Sequence, residues 1–350
     1  MSPYALATLD APDGKPLISL AQNESFRPPS PNAIAKAAEA LAAGHLYPDP
    51  DWHALRAALS DLHGVPVSDI LCGNGSMELI AALAHAYAHE GGAILAPAHA
   101  YPFFRTVAKQ ARARFDTAAE TEGCVSADAM LGAVRSDLRL VFVANPGNPT
   151  GTRISKTELL RLRAGLPSDV LTVIDEAYGE FADPLGEPVF DMVEHGNTVV
   201  LRTFSKAYGL AGLRVGWGVF PPAIAGEVRK LLTPNAVSCA GQAAALAAVQ
   251  DQAYMLETCA QTRILRDAFI RRLRDDGFDV ADSFTNFVLI HFESSDAAQG
   301  AHAALSAEGL IARAQGGAGL PNCLRLTIAD AEALDLAARI LKRWARGETT

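Results

Sequence analysis

The sequence has few cysteines, no long apolar run and no excess of positive charge, and each lack excludes a class of protein. Its five cysteines are an odd set at wide, irregular spacing, which favours reduced thiols over a disulfide framework or a zinc site. No run approaches the roughly 18 apolar residues of a membrane span. The nine histidines show no metal-ligand spacing, so no metal is predicted. A net charge of -9 without a basic stripe argues against nucleic acid as the main partner.

Length and composition indicate a globular protein with more than one domain. The chain has 350 residues, of which 49% are hydrophobic and 20% charged, values typical of a chain that buries a sizeable core. Its start, Met1–Asp10, lacks the basic and apolar regions of a secretion signal. We therefore expect a cytoplasmic protein with a large domain and a smaller companion.

The apolar pattern predicts an α/β fold. Short runs rich in Val, Ile and Leu alternate with longer amphipathic stretches, as in a mainly parallel sheet covered by helices. The predicted strands are Ala93–Ala96, Leu138–Ala144, Val170–Ile174, Val199–Thr203 and Val215–Val219. After about residue 240 the pattern changes to one long helical stretch, Ala240–Asp275, followed by mixed strands and helices. We expect a large α/β domain at 45–240, and a smaller α+β domain formed by 1–44 and 241–350.

Three polar motifs follow three of the predicted strands. They are Asn145–Gly151, Asp175–Tyr178 and the run Arg202–Arg214, which contains Lys206. Each alone has an ordinary reading, as a turn, an acidic loop or a surface lysine. Because a parallel α/β sheet places its ligands at the carboxyl ends of its strands, we expect the three motifs to form one site.

The residue types in these motifs suit pyridoxal phosphate. The amine of Lys206 can form a Schiff base with an aldehyde and later act as a general base. The carboxylate of Asp175 can keep a pyridine nitrogen protonated, which makes the ring an electron sink. Asn148 and Tyr178 can hydrogen-bond the oxygen on the ring.

A fourth motif offers a phosphate site. The turn Cys72–Glu78 leads into a predicted helix, where free backbone amides can cradle a phosphate. On its own such a turn is a weak signal. Together with Thr203, Ser205 and Arg214 it forms a credible set of phosphate ligands.

With these motifs the sequence resembles the fold-type I pyridoxal-phosphate enzymes, in particular the class I/II aminotransferases. The likeness is strongest to the histidinol-phosphate aminotransferase family and runs through most of the chain. The segments that carry it are Leu20–Glu24, Tyr47–Asp49, Gly73–Ser76, Asn145–Gly151, Asp175–Tyr178, Thr203–Arg214 and Leu324–Ile328.

The resemblance implies a role for each matching residue. Lys206, Asp175 and Tyr178 would be catalytic. The cofactor would be held by Gly75, Ser76, Met77, His99, Asn148, Asp175, Tyr178, Thr203, Ser205, Lys206 and Arg214. Tyr47 would reach the cofactor phosphate of a partner subunit, which implies a homodimer. The substrate would contact Arg325, Arg313 and Asn23.

Arg325 is also singled out by the residues around it. It lies within the apolar run Leu324–Ile328, where an arginine needs an anionic partner. A substrate carboxylate is one such partner, and a structural ion pair is the alternative. Arg313 carries no such signal, because it follows an apolar stretch as many surface arginines do.

The sequence departs from the family at several positions. His99 stands where an aromatic tyrosine usually stacks on the cofactor ring, and Tyr101 is the alternative for that role. Met77 stands where the family commonly has an acidic residue, and the change is tolerable if the backbone amide, rather than the side chain, binds the phosphate. The N-terminal stretch lacks the Tyr-x-Pro-Gly element that helps receive the substrate phosphate.

The predicted function is ping-pong transfer of an amino group between glutamate and an oxo substrate. Histidinol phosphate and its oxo counterpart, imidazole acetol phosphate, are the expected substrate pair. The alternatives are an aromatic amino acid aminotransferase and a pyridoxal-phosphate-dependent decarboxylase of a phosphorylated amino acid. A non-catalytic regulator ranks low, since the chain has no room for a DNA-binding domain before Leu20.

Overall fold

The computed structural model describes residues 14–182 and 188–348. Met1–Asp10, on which the expected absence of a secretion signal rests, lies outside the described residues. Within the described part of the chain, no helix combines the length and apolarity needed to cross a membrane.

The described elements alternate between strands and helices along the first two thirds of the chain. The strands are β1 (Ile18–Ser19), β2 (Ile70–Gly73), β3 (Ala93–Pro97), β4 (Arg114–Ala118), β5 (Glu120–Thr121), β6 (Cys124–Val125), β7 (Leu138–Ala144), β8 (Leu171–Asp175), β9 (Thr198–Thr203), β10 (Gly216–Val219), β11 (Asp279–Val280), β12 (Phe287–His291), β13 (Leu310–Ile311), β14 (Arg313–Gln315) and β15 (Leu320–Thr327). The helices are α1 (Pro31–Leu41), α2 (His53–His63), α3 (Ser76–Tyr87), α4 (Pro102–Gln110), α5 (Ala127–Gly132), α6 (Lys156–Gly165), α7 (Gly179–Ala182), α8 (Pro222–Arg229), α9 (Cys239–Gln250), α10 (Gln252–Asp275), α11 (Ser295–Ala307) and α12 (Ala331–Ala345).

A seven-stranded sheet in the order β2-β10-β9-β8-β7-β3-β4 forms the centre of the larger unit. Its neighbouring strands are parallel, except that β10 is antiparallel to both β2 and β9. Residues 204–215 connect β9 to β10 and contain one short 3-10 helix, Ala211–Leu213, rather than an α-helix that would return the chain in parallel. Strands β7, β8 and β9 are buried almost throughout, as their Val- and Leu-rich sequences predict. The predicted α/β fold is confirmed.

A four-stranded antiparallel sheet in the order β11-β12-β15-β14 forms the smaller unit. It has its own hydrophobic core, to which α10, α11 and α12 contribute apolar side chains. The N-terminal segment contacts both units: β1 pairs with β13, whereas α1 packs on α9. The domain limits 45–240 and 241–350 stay predictions.

Local signals explain where several helices begin. Ser155 accepts a hydrogen bond from the backbone amide of Glu158 and so caps α6. The predicted helical stretch at roughly Ala240–Asp275 consists of two helices, α9 and α10. Asp251 lies between them with non-helical backbone angles, and its side chain accepts a hydrogen bond from Tyr254 N. Aspartate at a helix start stabilises such a break.

Candidate active site

The three polar motifs converge because β7, β8 and β9 are adjacent, parallel and in register. Ala144 lies beside Asp175, which lies beside Leu201. Beyond the strands, Asn145 N donates to Asp175 O at 3.0 Å and Glu176 N donates to Leu201 O at 2.9 Å. The carboxyl ends of the three strands therefore present their motifs at one edge of the sheet.

Asp175 places a buried carboxyl group at this edge. Its Oδ1 accepts a hydrogen bond from Ala177 N at 3.1 Å. Burial raises the pKa of Asp175 to about 6, and the neighbouring Glu176 carboxylate acts in the same direction. A buried carboxylate in this state is stabilised by a cationic partner, such as a protonated ring nitrogen.

Lys206 brings an amine to the same site. Its Nζ donates to Asn23 O at 2.9 Å and to Gln22 O at 3.1 Å, and lies 5.9 Å from the centre of the Tyr178 ring. Burial, aided by the positive charge of Arg325, lowers the pKa of Lys206 to about 7. A neutral amine is the nucleophilic form of lysine, so this environment suits attack on a carbonyl.

Tyr178 is buried and held by two amides. Its hydroxyl oxygen accepts from Asn23 Nδ2 at 2.7 Å and from Asn148 Nδ2 at 3.4 Å. Its ring packs edge-on against Phe287 at a centroid distance of 5.3 Å. Burial raises the pKa of Tyr178, so the phenol stays protonated.

Arg325 extends from β15 into the site. Its Nη1 donates to Asn148 Oδ1 at 2.6 Å and its Nη2 donates to Ala21 O at 2.7 Å. The side chain lies 5.2 Å from the centre of the Phe287 ring, and its buried Nε has no hydrogen-bond partner among the residues that the structure describes. Burial lowers the pKa of Arg325 to about 10, so the group remains a cation.

Arg313 lies directly across from Arg325 in the pairing of β14 with β15. Opposed residues of an antiparallel pair project to the same face, and the charge of Arg313 depresses the pKa of Arg325 further. Two neighbouring guanidinium groups on one face attract an anion.

The glycine turn and the run after Lys206 meet to form an anion cradle. A Cβ on Gly75 would lie 2.5 Å from Arg214 Nη2, and a Cβ on Gly216 would lie 2.1 Å from Ser76 N. Arg214 Nη1 donates to Ser205 Oγ at 3.3 Å. The cradle therefore combines a guanidinium, a hydroxyl and the first amides of α3, which suits a phosphate.

Thr203 supports this cradle through hydrogen bonds to Ser205. Its hydroxyl donates to Ser205 Oγ at 3.0 Å and accepts from Ser205 N at 3.1 Å. Met77 follows Ser76 in the first turn of α3, and its side chain packs against the large core. The roles of both residues toward a phosphate stay predictions.

His99 and Tyr101 both lie at the start of α4. His99 Nδ1 lies 3.0 Å from Ala318 O, so this nitrogen carries the proton, and His99 N donates to Glu120 Oε1 at 2.9 Å. The Tyr101 ring packs on Phe104 at 5.7 Å between centroids. Which of the two stacks on a cofactor ring stays a prediction.

Backbone carbonyl groups and one further carboxylate support the site. The carbonyl groups of Gln22 and Asn23 hold the Lys206 amine. The carboxylate of Glu78 accepts from Asn74 N at 2.6 Å and from Thr233 N at 3.2 Å, and so fixes the glycine turn. The contacts of Lys206 with Gln22 and Asn23, and that of Glu78 with Thr233, join segments that are distant in the sequence.

These residues are suited to pyridoxal phosphate. The Lys206 amine matches its aldehyde, the buried Asp175 carboxyl matches its ring nitrogen, and the cradle at Ser76, Ser205 and Arg214 matches its phosphate. Within the described residues, no group of three or more His, Cys, Asp or Glu side chains is arranged to hold a metal ion.

Comparison with known proteins agrees with this geometry. The sequence profile of the family "Aminotransferase class I and II" matches residues 15–341. The chain belongs to this family. It is an aminotransferase, and its cofactor is pyridoxal phosphate, as the sequence predicted.

Individual relatives cover nearly the whole chain. Histidinol-phosphate aminotransferase of Rhodospirillum centenum is 37% identical over 350 residues, which cover 99% of this chain and 97% of the relative. The protein of that name from Erythrobacter litoralis is 40% identical over 334 residues, 94% of this chain and 90% of the relative. The crystal structure of histidinol-phosphate aminotransferase from Sinorhizobium meliloti in complex with pyridoxal-5'-phosphate superposes with a TM-score of 0.90 at 29% identity, covering 95% and 92% of the two chains.

Proposed function

We propose that this aminotransferase moves an amino group between glutamate and the histidinol phosphate–imidazole acetol phosphate pair. The pairing of Arg313 with Arg325 carries the proposal. Two guanidinium groups on one face suit a phosphate dianion, and the same groups can hold a glutamate carboxylate in the other half of a ping-pong cycle. The names of the relatives from Rhodospirillum centenum and Erythrobacter litoralis support the same substrate.

The bound cofactor supplies an aldehyde that bonds the substrate amine and a protonated ring that accepts the electrons of the breaking Cα–H bond. Asp175 would hold the proton on the ring nitrogen, because its buried carboxylate is stabilised by that positive charge. Tyr178 and Asn148 would donate hydrogen bonds to the ring oxygen and so fix the tilt of the ring. The cradle at Gly75, Ser76, Met77, Thr203, Ser205 and Arg214 would bind the phosphate.

Lys206 would move the proton. With a pKa of about 7, its Nζ is neutral in a large share of molecules at neutral pH and can accept a proton. The carbonyl groups of Gln22 and Asn23 lie 3.1 and 2.9 Å from Nζ and would steady the amine after it takes up that proton. Asn23 also donates to Tyr178, so one residue would align the base with the ring-binding phenol.

We also propose a homodimer in the cytoplasm, with Tyr47 reaching the partner's site. The Tyr47 side chain is 89% exposed in the single chain. Ile34, Leu41 and Leu46 are large apolar side chains of the same stretch and are also exposed. Such a cluster on one segment favours an interface.

A substrate comparison tests the proposal. We expect histidinol phosphate to exceed both unphosphorylated histidinol and phenylalanine in kcat/KM by about 100-fold or more, since the arginine pair gains a charge-assisted contact only from the phosphate. Steady-state assays of the purified holoenzyme with glutamate or its oxo acid as partner would measure this. Equal values for histidinol and its phosphate would refute the proposed substrate, and higher values for phenylalanine would favour an aromatic aminotransferase. Release of carbon dioxide from a phosphorylated amino acid would favour a decarboxylase.

A further inference from the structure

Arg202 is a buried cation to which the predicted site assigns no role. It lies in β9 next to Thr203 and has no exposed surface. Its Nε and Nη2 donate to Glu176 Oε2 at 3.0 and 2.8 Å, and its Nη1 lies 3.5 Å from Glu180 Oε1. The guanidinium also lies 4.9 Å from the centre of the Phe190 ring. A fully buried arginine between two carboxylates is costly to assemble unless the geometry is well satisfied.

The two carboxylates belong to the same segment as Asp175 and Tyr178. Glu176 directly follows Asp175, and Glu180 comes two residues after Tyr178. Arg202 is four residues before Lys206. Through its two partners, Arg202 therefore ties the loop bearing the ring-nitrogen carboxylate to the strand that leads to the lysine.

The backbone of the loop is fitted to this arginine. A Cβ on Gly179 would lie 2.6 to 2.7 Å from the guanidinium atoms of Arg202. The Gly179 amide closes a turn by donating to Glu176 O at 2.8 Å. The space that a side chain at residue 179 would need is thus filled by Arg202, and the loop packs directly on it.

We propose that Arg202 is a positioning residue for the cofactor site. It holds Glu176 and Glu180 so that the loop presents Asp175 and Tyr178 in one fixed arrangement, and it neutralises the carboxylate next to Asp175. The Asp175 carboxyl can then ionise beside the cofactor ring without a second uncompensated negative charge at its side. This inference rests on the role proposed above for Asp175.

The charges around Asp175 determine whether its pKa rises or falls when Arg202 is removed. The Glu176 carboxylate acts to raise the pKa of Asp175, and Lys206 acts to lower it. Arg202 offsets Glu176 through direct contact, where charges interact strongly because water is excluded. Without Arg202, protonation of Asp175 would extend to higher pH.

Cofactor binding as a function of pH tests the proposal without an activity assay. Pyridoxamine phosphate is a suitable probe, because it forms no covalent bond with Lys206. For Arg202→Met we expect the affinity for pyridoxamine phosphate at pH 7 to fall about tenfold or more. The midpoint of the affinity–pH curve should rise by about one pH unit. Adding Glu176→Gln to this variant should return the midpoint toward the wild-type value.

Arg163→Met is the matched control. Arg163 is also buried, but it donates to neutral oxygen atoms, namely Val170 O at 2.7 Å, Pro167 O at 3.0 Å and Thr172 Oγ1 at 3.2 Å. Its loss should lower the melting temperature and leave the midpoint unchanged. If Arg202→Met lowers affinity by the same factor at every pH, or if Arg163→Met shifts the midpoint equally, the positioning role is overturned.

Two further variants keep the test decisive. If Arg202→Met does not fold, Glu176→Gln alone should shift the midpoint to lower pH, and an unchanged midpoint would overturn the proposal. Asp175→Asn should weaken binding and flatten the curve. If Asp175→Asn has the same affinity–pH curve as the wild type, the role of Asp175 is overturned and this inference with it. If Asp175→Asn flattens the curve but Arg202→Met leaves its midpoint unchanged, only the role of Arg202 is overturned.

Discussion

At the scale of single residues, Lys206 and Asp175 each lie where burial opposes their charge. Burial lowers the pKa of the lysine to about 7 and raises that of the aspartate to about 6. A basic amine and an acid that titrate close to neutral pH are suited to proton transfer under physiological conditions. Both shifts follow from the meeting of three strand ends with the N-terminal segment.

The depressed pKa of Lys206 makes the stability of the apoprotein depend on pH. Lysine in the unfolded chain titrates near 10.5 and in the folded chain near 7, so the unfolded state binds more protons between these values. Folding stability at this site therefore rises with pH from 7 to about 10. Relative to Lys206→Met, the unfolding free energy of the wild type should increase by up to about 1.4 kcal/mol per pH unit. Urea unfolding at several pH values measures this, and a constant difference would contradict the assigned environment.

Arg325 should affect substrate affinity more than stability. The planar guanidinium of Arg325 donates to Asn148 Oδ1 and Ala21 O and can also contact an anion. The ammonium group of Arg325→Lys cannot make all of these contacts at once. We expect kcat/KM for histidinol phosphate to fall about 100-fold, mainly through KM. Arg266→Lys, at a buried arginine that donates to Thr285 O, is the control and should keep the wild-type KM. Equal losses in both variants would argue for a general structural effect.

At the scale of elements, the close approach of β10 to the start of α3 builds the phosphate cradle. Gly216→Ala would place a methyl group 2.1 Å from Ser76 N and displace that amide. We expect the dissociation constant of pyridoxal phosphate to rise about tenfold or more, in line with the loss of one charge-assisted hydrogen bond. Gly212→Ala, in the same segment but with open space around its Cα, should stay within about twofold. Equilibrium titration would compare them, and equal affinities would refute the cradle.

Sequence patterns predicted most of the uniformly buried strands of the large sheet, although the short buried strand β2 was not predicted. Strands β7, β8 and β9 appear as continuous apolar runs, because both faces of a central strand are covered. Strand β4 was not predicted, because it is an edge strand in which polar residues such as Arg114 and Asp116 alternate with apolar ones. The break at Asp251 was missed because a single capping residue interrupts a pattern that is otherwise helical on both sides.

The site was predictable where its residues share a short motif. Lys206 and Asn148 follow strands and Asp175 ends one, so all three are recognisable from type and position. The contacts of Arg202 with Glu176 and of Gln22 with Lys206 were not predictable, because they join segments 26 and 184 residues apart. Their partners depend on how the sheet and the N-terminal segment pack.

In the whole molecule, we expect two chains to share each site. Lys206→Ala and Tyr47→Ala should each be nearly inactive as pure proteins. When the two variants are mixed and allowed to exchange subunits, a hybrid dimer would contain one complete site. Random exchange should then restore about a quarter of wild-type activity. No recovery, in a mixture whose hybrid dimers are verified by native mass spectrometry, would contradict a shared site.

The other proposed roles all depend on amino-group transfer from histidinol phosphate with Lys206 as the base. The most direct measurement mixes the holoenzyme with histidinol phosphate alone and follows the absorbance of the bound cofactor. We expect conversion of the aldehyde form to pyridoxamine phosphate, with one oxo product formed per site and no conversion in Lys206→Ala. A cofactor spectrum that stays unchanged in the wild type, or changes equally in Lys206→Ala, would contradict it.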